Sequence, residues 1–229
     1  VSDIRDFEEM KEIFAGAEIV WHLAAIPSVP RSIEDPVPSH DVNINGTFSV
    51  LRAAKAAGVR RVVYAASSSA YGDTDVLPKV ESMTPHPKSP YALQKLVGEY
   101  YCSLFHENFG LETVAIRFFN VFGPRQDPSS PYSGVLSLFM KHLLARTSPT
   151  LFGDGVSGRF YNGGNGGRYT LNQIWVMLQR MEGVSLPPLF GPPRAGDVRD
   201  SQADTTAAIR DLGHAPRFTM EEGLRETLA

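Results

Sequence analysis

The spacing of hydrophobic residues along the chain predicts strands and helices in alternation. Apolar runs over 17–23, 62–66 and 112–118 have the length and the β-branched content of buried strands. Over 40–57 and 90–108, by contrast, apolar residues recur every three or four positions, which predicts helices. Strands that alternate with helices in this way predict an α/β fold with a parallel sheet and right-handed crossovers.

Capping residues predict where several of these helices begin and end. Asp6 can cap a first helix, and Gly58 can close the helix that precedes the second strand. Ser89 can cap the long helix, Pro90 suits its first position and Gly110 ends it. The remaining predictions are a loop over 24–32, a strand at 151–155, helices over about 134–144, 171–181 and 205–212, and a proline-rich loop after residue 181.

The chain divides into two parts by character. We predict a sheet domain over 1–122 and a smaller α/β lobe over 123–229, from which the chain crosses back to the sheet. No glycine-rich turn of the G-x-x-G-x-x-G type follows a strand, so we expect the recorded chain to begin after a first βαβ unit. Two turn-like pieces meet at Gly155 and Val156, which predicts a second omission there.

Composition excludes several classes of function. The chain is 42% hydrophobic and 21% charged with a net charge of −3, so no basic surface predicts binding to nucleic acid or an anionic membrane. A single cysteine, Cys102, excludes a disulfide framework, and the six histidines have no metal-ligand spacing. Without an 18-residue apolar run or a signal-like start, we expect a cytoplasmic protein.

Two groups of residues are candidates for chemistry. Tyr91 and Lys95 lie one turn apart on the long helix, and a neighbouring ammonium favours the phenolate and so lowers the tyrosine pKa. Tyr91 is therefore a candidate general base or acid. Before it, Ser67, Ser68 and Ser69 follow the second strand, at the edge where open α/β sheets bind ligands.

A strand-end serine followed by Tyr-x-x-x-Lys resembles the extended branch of the short-chain dehydrogenase/reductase superfamily. The chain is most similar to its NAD-dependent nucleotide-sugar epimerase/dehydratase family, in particular to UDP-glucose and UDP-N-acetylglucosamine 4-epimerases. The matching segments are His22-Leu23-Ala24-Ala25, 28–32, 43–47, 65–73, 89–95, 117–123 and 196–199. The resemblance implies a Rossmann-type doubly wound parallel sheet that binds NAD, and a second lobe for the substrate.

The resemblance also implies roles for individual residues. Tyr91 and Lys95 match the catalytic pair, and Ser67 matches the hydroxyl that binds O4 of the sugar, a role open to Ser68 or Ser69 if the register shifts. The residues expected at the cofactor are Asp3, Ile4, Leu23, Ala24, Ala25, Asn43, Ala65, Tyr91, Lys95 and Phe118. For Asn43, a bridge between two backbone segments is an equal alternative. The residues expected at the substrate are Ser28, Ser68, Ser69, Asn120, Arg194, Asp197 and Ser201.

The implied reaction is inversion at C4 of a UDP-hexose through a 4-keto sugar. Dehydratases of the family have Asp-Glu where this chain has Ser68-Ser69, so elimination of water is disfavoured. Ser201 matches a position where residue size controls access for a 2-acetamido group, so N-acetylated UDP-hexoses are expected substrates as well as UDP-glucose and UDP-galactose.

Two alternatives remain at this point. One is another nucleotide-sugar enzyme, such as a UDP-glucuronate epimerase or decarboxylase, and the other is a non-catalytic protein that binds NAD or a nucleotide sugar. The resemblance further implies a homodimer, formed by the helices that contain Asn43 and Tyr91.

Overall fold

The computed structural model describes residues 1–74, 76–126, 135–152, 160–161, 167–192 and 202–228. The chain forms two compact units, residues 1–72 with 84–118 and residues 73–83 with 119–229. The predicted assignment of NAD to the first part and substrate to the second stays a prediction. The junction of Gly155 and Val156 lies outside the described residues.

The first unit contains a parallel sheet. Its strands β1 (Ile19–His22), β2 (Arg61–Ser67) and β3 (Glu112–Phe118) lie side by side in that order, with Ser67 opposite Phe118. The helices of this unit are α1 (Phe7–Ile13), α2 (Val29–Glu34), α3 (Pro36–His40), α4 (Thr47–Ala56) and α5 (Pro90–Phe109). All three strands were predicted, and their parallel order confirms the predicted α/β sheet.

Caps of the predicted kind begin and end these helices. Asp6 accepts a hydrogen bond from the backbone N–H of Glu9 at the start of α1. Ser89 caps α5 through the N–H of Ala92, and Gly110 ends it in the left-handed conformation. The predicted ends of α5 are therefore confirmed to within a residue or two.

The predicted loop over 24–32 was wrong in its second half. Ser28 caps a short helix, α2, by accepting a hydrogen bond from the N–H of Arg31, and Pro30 fits the first turn, where its missing N–H costs nothing. The predicted helix over 40–57 likewise starts earlier, because Asp35 caps α3, which continues through a π-helical segment (Asp41–Gly46) into α4.

The core of the first unit joins the sheet to α4 and α5. Its buried members are Val20, Val50, Leu51, Ala54, Val59, Val62, Tyr64, Ala66, Cys102, Phe105 and Leu111. Tyr64, at the middle of β2, packs against α5 so closely that a Cβ on Gly98 would collide with its ring and hydroxyl group. This contact fixes α5, and with it Tyr91 and Lys95, against the central strand.

The second unit has short strands and a helical core. Its elements are α6 (Val135–Leu144), β4 (Thr150–Phe152), β5 (Phe160–Tyr161), β6 (Arg168–Tyr169), α7 (Leu171–Glu182), β7 (Leu189–Gly191), α8 (Thr206–Leu212) and α9 (Met220–Leu228). Strand β4 pairs with β7 in parallel, and β5 pairs with β6 antiparallel. Trp175 on α7 is buried at the centre, edge-to-face with Phe139 of α6. The sequence pattern predicted none of β5, β6, β7 and α9.

Within the described part of the chain, no helix combines the length and apolarity needed to cross a membrane. In the same residues, no group of three or more His, Cys, Asp and Glu side chains is placed to hold a metal ion.

Candidate active site

Helix α5 carries Tyr91 and Lys95 in its first two turns. Besides the Ser89 cap, the backbone N–H of Tyr91 donates to the side-chain oxygen of Ser32 at 3.1 Å. Ser32 is fully buried and donates its own proton to the carbonyl of Val29 at 2.8 Å. Because N–H groups in a first helical turn have no partner within the helix, Ser32 and Ser89 together fix the orientation of this end of α5.

The end of β2 brings a hydroxyl group to Tyr91. The side chain of Ser67 reaches the phenol of Tyr91 and acts to lower its pKa. It also lies 2.8 Å from the hydroxyl of Ser69 and accepts a hydrogen bond from the Ser69 N–H at 3.2 Å. A tight 3₁₀ turn (Ser68–Tyr71) that Ser67 caps produces this arrangement. The structure thus brings together the predicted Ser67 and Tyr91.

The electrostatic setting of Tyr91 differs from the sequence prediction. Burial raises the pKa of the phenol, and the interaction with Ser67 offsets only part of that rise. The prediction that Lys95 lowers the pKa of Tyr91 was therefore wrong, because desolvation disfavours the phenolate more than its neighbours favour it.

Lys95 is a buried amine with few partners. It is 3% exposed, and burial lowers its pKa to about 8. Its ammonium lies 4.5 Å from the centre of the Tyr64 ring, a cation–π contact. No carboxylate of the described residues lies within 4.0 Å of it. At pH 7 the group is charged but close to losing its proton.

His22 at the end of β1 belongs to the same buried cluster. Burial, with a contribution from the charge of Lys95, lowers its pKa to about 4, so the imidazole is neutral. Its Nε2 lies 2.9 Å from the hydroxyl of Thr47, and its ring packs against Tyr64. Burial likewise raises the pKa of Tyr64. Lys95 is therefore the one charged member of a group of neutral side chains that includes His22, Thr47 and Tyr64.

The side chain of Asn43 bridges the backbone of Ile26 and the side chain of Gln94. Its Oδ1 accepts from the N–H of Ile26 at 2.8 Å, and its Nδ2 donates to the carbonyl of Ile26 at 3.1 Å and to Oε1 of Gln94 at 2.9 Å. Gln94 in turn donates to Ser39. Both protons of the Asn43 amide are used within the protein, which favours the bridging role that the sequence left open. The bridge ties the segment after β1 to α5.

The other residues predicted at the cofactor are spread along the sheet edge and the start of the chain. Leu23 and Ala24 are exposed directly after β1, Ala25 and Ala65 are half-buried, and Phe118 is exposed at the end of β3. The Asp3 carboxylate accepts from Nε of Arg5 at 3.0 Å, which holds its pKa at about 2. The side chain of Ile4 packs against Gly46.

The residues predicted at the substrate have different outcomes. Ser28 is buried and serves as the cap of α2, so its hydroxyl is already committed. Ser68 and Ser69 lie in the turn beside Ser67, and Asn120 is exposed in the second unit. The predicted Arg194, Asp197 and Ser201 lie outside the described residues.

An ion pair that the sequence does not reveal lies near the site. Arg117 of β3 holds Glu99 of α5 with two guanidinium nitrogens, and its guanidinium carbon lies 4.5 Å from the centre of the Tyr71 ring. Glu99 is one turn beyond Lys95, a spacing that was visible in the sequence, but the partner on another element was not.

Comparisons with known proteins identify similar sequences and similar folds. A family model described as the NAD dependent epimerase/dehydratase family matches residues 1–161. The UDP-glucose 4-epimerase of Mycolicibacterium smegmatis is 35% identical over 235 residues, which are 92% of this chain and 75% of that protein.

Two solved structures have the same fold as this chain. The UDP-glucose 4-epimerase of Thermotoga maritima, solved with UDP-glucose, superposes with a TM-score of 0.93 at 34% identity, covering 99% of this chain and 82% of the other. The UDP-N-acetylglucosamine 4-epimerase of Methanobrevibacter ruminantium M1, in complex with UDP-N-acetylmuramic acid, superposes with a TM-score of 0.92 at 31% identity, covering 99% and 80%. These similarities confirm the Rossmann-like α/β fold.

Proposed function

Because this chain belongs to the NAD-dependent epimerase/dehydratase family, we propose that it catalyses the 4-epimerisation of UDP-hexoses through a 4-keto sugar. The observation that carries the proposal is the interaction of Ser67 with the phenol of Tyr91, with the buried ammonium of Lys95 on the same helix one turn further on. A proton donor or acceptor and a hydroxyl that converge at the carboxyl end of a parallel strand are suited to chemistry at a sugar hydroxyl.

Each of the three residues has a separate task in this proposal. Ser67 donates a hydrogen bond to O4 of the sugar and orients it toward Tyr91. Tyr91 removes the proton from the C4 hydroxyl and returns it after the sugar has turned over. Lys95 stabilises the phenolate that this transfer creates, which compensates for the burial that disfavours it. NAD, held by Lys95 and the segment after β1, would supply reversible hydride transfer at C4.

The described residues fit NAD in two respects. Lys95 holds a buried ammonium over an aromatic ring, and its donors suit the hydroxyls of the nicotinamide ribose. After β1, Ala24 and Ala25 have side chains no larger than a methyl group, so a cofactor can approach the backbone there. Asn43 holds that segment in place through its hydrogen bonds with the backbone of Ile26.

UDP-sugars are the proposed substrates. The named relatives support UDP-glucose and N-acetylated UDP-hexoses, and the small Ser201 is consistent with both. We propose that Asn120 contacts the nucleotide phosphates and that Arg194 and Asp197 bind the diphosphate and the uridine ribose. An arginine is a suitable partner for a diphosphate because it can donate two parallel hydrogen bonds. A UDP-glucuronate enzyme and a non-catalytic binding protein are not favoured.

A homodimer through α5 is part of the proposal. Leu93, Tyr100 and Leu104 are exposed apolar residues spaced seven and four positions apart, so they lie on one face of the helix. Such a stripe is typical of a helix that packs against another copy. Sedimentation of a Leu104→Glu variant, with Ser103→Glu as the control, tests the dimer: an unchanged mass would contradict it.

A cytoplasmic location is also proposed and is tested by cell fractionation.

The central experiment follows both product and cofactor. The purified protein is incubated with UDP-glucose and NAD, and C4 inversion is measured by NMR while NADH is measured by absorbance. Inversion without net NADH is expected. Tyr91→Phe should lower kcat by roughly 10²–10⁴-fold while NAD binding is retained, and Tyr100→Phe, on the exposed face of the same helix, should not. Equal activity of both variants would contradict the proposal.

A further inference from the structure

The ion pair between Glu99 and Arg117 lies beside the candidate catalytic lysine. Glu99 follows Lys95 by four residues on α5, so the two side chains project from the same face of the helix. A glutamate and a lysine at this spacing are within reach of each other and can form a salt bridge. In this structure they do not, because Arg117 occupies the carboxylate of Glu99.

Arg117 binds Glu99 in a two-pronged manner. Its Nε lies 2.9 and 3.1 Å from the two carboxylate oxygens, and its Nη2 lies 2.7 Å from one of them. The side chains are largely buried, at 17% exposed for Arg117 and 12% for Glu99. A buried carboxylate needs such a partner, because an unpaired charge in the protein interior is strongly disfavoured.

The position of Arg117 is fixed from a second side. Its guanidinium lies over the ring of Tyr71, at the end of the turn that Ser67 begins. In the sheet, Arg117 is opposite Ala66, the residue before Ser67. The arginine therefore contacts both structures that hold the candidate catalytic groups: the turn after β2 and helix α5.

Lys95 has no carboxylate within 4.0 Å among the described residues. Its ammonium faces Tyr64 of β2 and acts on the neutral His22 of β1, while Glu99 and Cys102 of its own helix act on the charge of Lys95. Glu99 is the carboxylate of this set. If it were released, the same cost of an unpaired buried charge would drive it toward the ammonium, one turn away.

We propose that Arg117 is a positioning residue, which retains the carboxylate of Glu99 and so keeps the ammonium of Lys95 available to Tyr91. Loss of Arg117 would let Glu99 pair with Lys95. That pairing would hold the ammonium at Glu99 and neutralise the charge that the proposed function assigns to stabilising the phenolate. In this role Arg117 acts through Glu99, without contact to substrate.

The first test measures the lysine itself and requires no activity. The chain has six lysines, so their Cε atoms can be labelled with ¹³C and followed by NMR over a pH titration, with Lys95→Arg to assign the signal. In Arg117→Met, the proton affinity of Lys95 should rise at least tenfold. In the double variant Arg117→Met/Glu99→Gln, it should return to within about threefold of the parent. If Lys95 titrates alike in the parent and in Arg117→Met, the proposal is overturned.

The variants also separate positioning from general support of the fold. Arg61 of β2 is an exposed partner of Glu112 of β3. Arg61→Met is therefore the matched control, with no expected effect on Lys95. If Arg117→Met does not fold, Arg117→Gln keeps a donor for Glu99 but no charge, and a smaller rise in the proton affinity of Lys95 is expected. A merely structural arginine predicts that the double variant is at least as impaired as the single one, which would contradict the inference.

The catalytic consequence depends on the proposed function. With UDP-glucose, kcat should fall at least tenfold in Arg117→Met and recover in the double variant to within about threefold of the parent. If the titration changes as expected but the parent has no epimerase activity, the proposed function fails and the positioning role stands. If the parent is active and the titration is unchanged, the positioning role alone fails.

Discussion

The Cα atom of Gly98 lies directly against the ring of Tyr64, with no space for a Cβ between helix α5 and strand β2. Tyr64 is buried beneath the helix, and its hydroxyl donates to the carbonyl of Lys95. The contact therefore sets the height of the helix above the sheet at the level of the candidate catalytic lysine. A small residue is required here for packing, independent of any role in chemistry.

We predict that Gly98→Ala destabilises the protein. In an exposed helix this exchange would add about 1 kcal/mol of stability, but here the new methyl group meets the Tyr64 ring, and overpacking should instead cost about 1–3 kcal/mol. Ser103→Ala, on the exposed face of the same helix, is the control. Chemical denaturation measures both, and a stabilised Gly98→Ala would show that α5 is free to move.

Replacement of Asn43 by Ala should be costly although it removes only one polar side chain. The N–H and carbonyl of Ile26 and the amide of Gln94 would lose their partner inside the protein, at about 1–3 kcal/mol for a buried group left unpaired. Asn45→Ala, two residues away and exposed, is the control. Equal free energies of unfolding for the two variants would contradict the bridging role.

Local signals in the sequence were sufficient to predict the helix and the strands that carry the candidate site. Ser89, Pro90 and Gly110 mark the ends of α5 because caps depend on neighbours only a few residues away. A strand-end serine and a Tyr-x-x-x-Lys helix could likewise be identified before their contact was known. The predicted strand over 112–118 agrees with β3, because the apolar run that predicts it is also a local signal.

Features that depend on distant partners could not be predicted. The pKa of Tyr91 is raised because its side chain is buried. The spacing between Tyr91 and Lys95 in the sequence does not reveal that burial. Glu99 and Arg117 meet across two elements, and the three partners of Asn43 come from two separate segments. Strand β7 has two apolar residues among prolines, so only its pairing with β4 identifies it.

His22 should make the protein sensitive to acid. Its pKa is about 4 in the fold against 6.5 for an ordinary histidine, so the folded state disfavours the proton. The stability this neutral group contributes is complete above pH 6.5 and is lost as the pH falls toward 4, by up to about 3 kcal/mol. His22→Gln cannot titrate, so its free energy of unfolding should fall less between pH 7 and 5. Parallel losses in both proteins would exclude His22 as the source.

Ser201→Tyr should change sugar selectivity. By the resemblance, a large side chain at this position excludes the 2-acetamido group, so turnover of UDP-N-acetylgalactosamine should drop at least tenfold relative to UDP-galactose. Ser201→Ala keeps the position small and should retain the selectivity of the parent. Comparison of kcat/KM for the two sugars measures the change, and an unaltered ratio in Ser201→Tyr would reject this assignment.

The pH dependence of the reaction should follow the charge of Lys95. Burial holds its pKa at about 8, so the ammonium is present below pH 8 and is lost above it. Burial also raises the pKa of Tyr91, so a phenolate is available only with a cation to stabilise it. We therefore expect kcat/KM for UDP-glucose to fall above pH 8. Lys95→Arg keeps a permanent charge of poorer fit, so it should be less active at pH 7 but show no decline near pH 8. A rate that rises through pH 8–9 in the parent would instead mean that ionisation of Tyr91 alone controls the reaction.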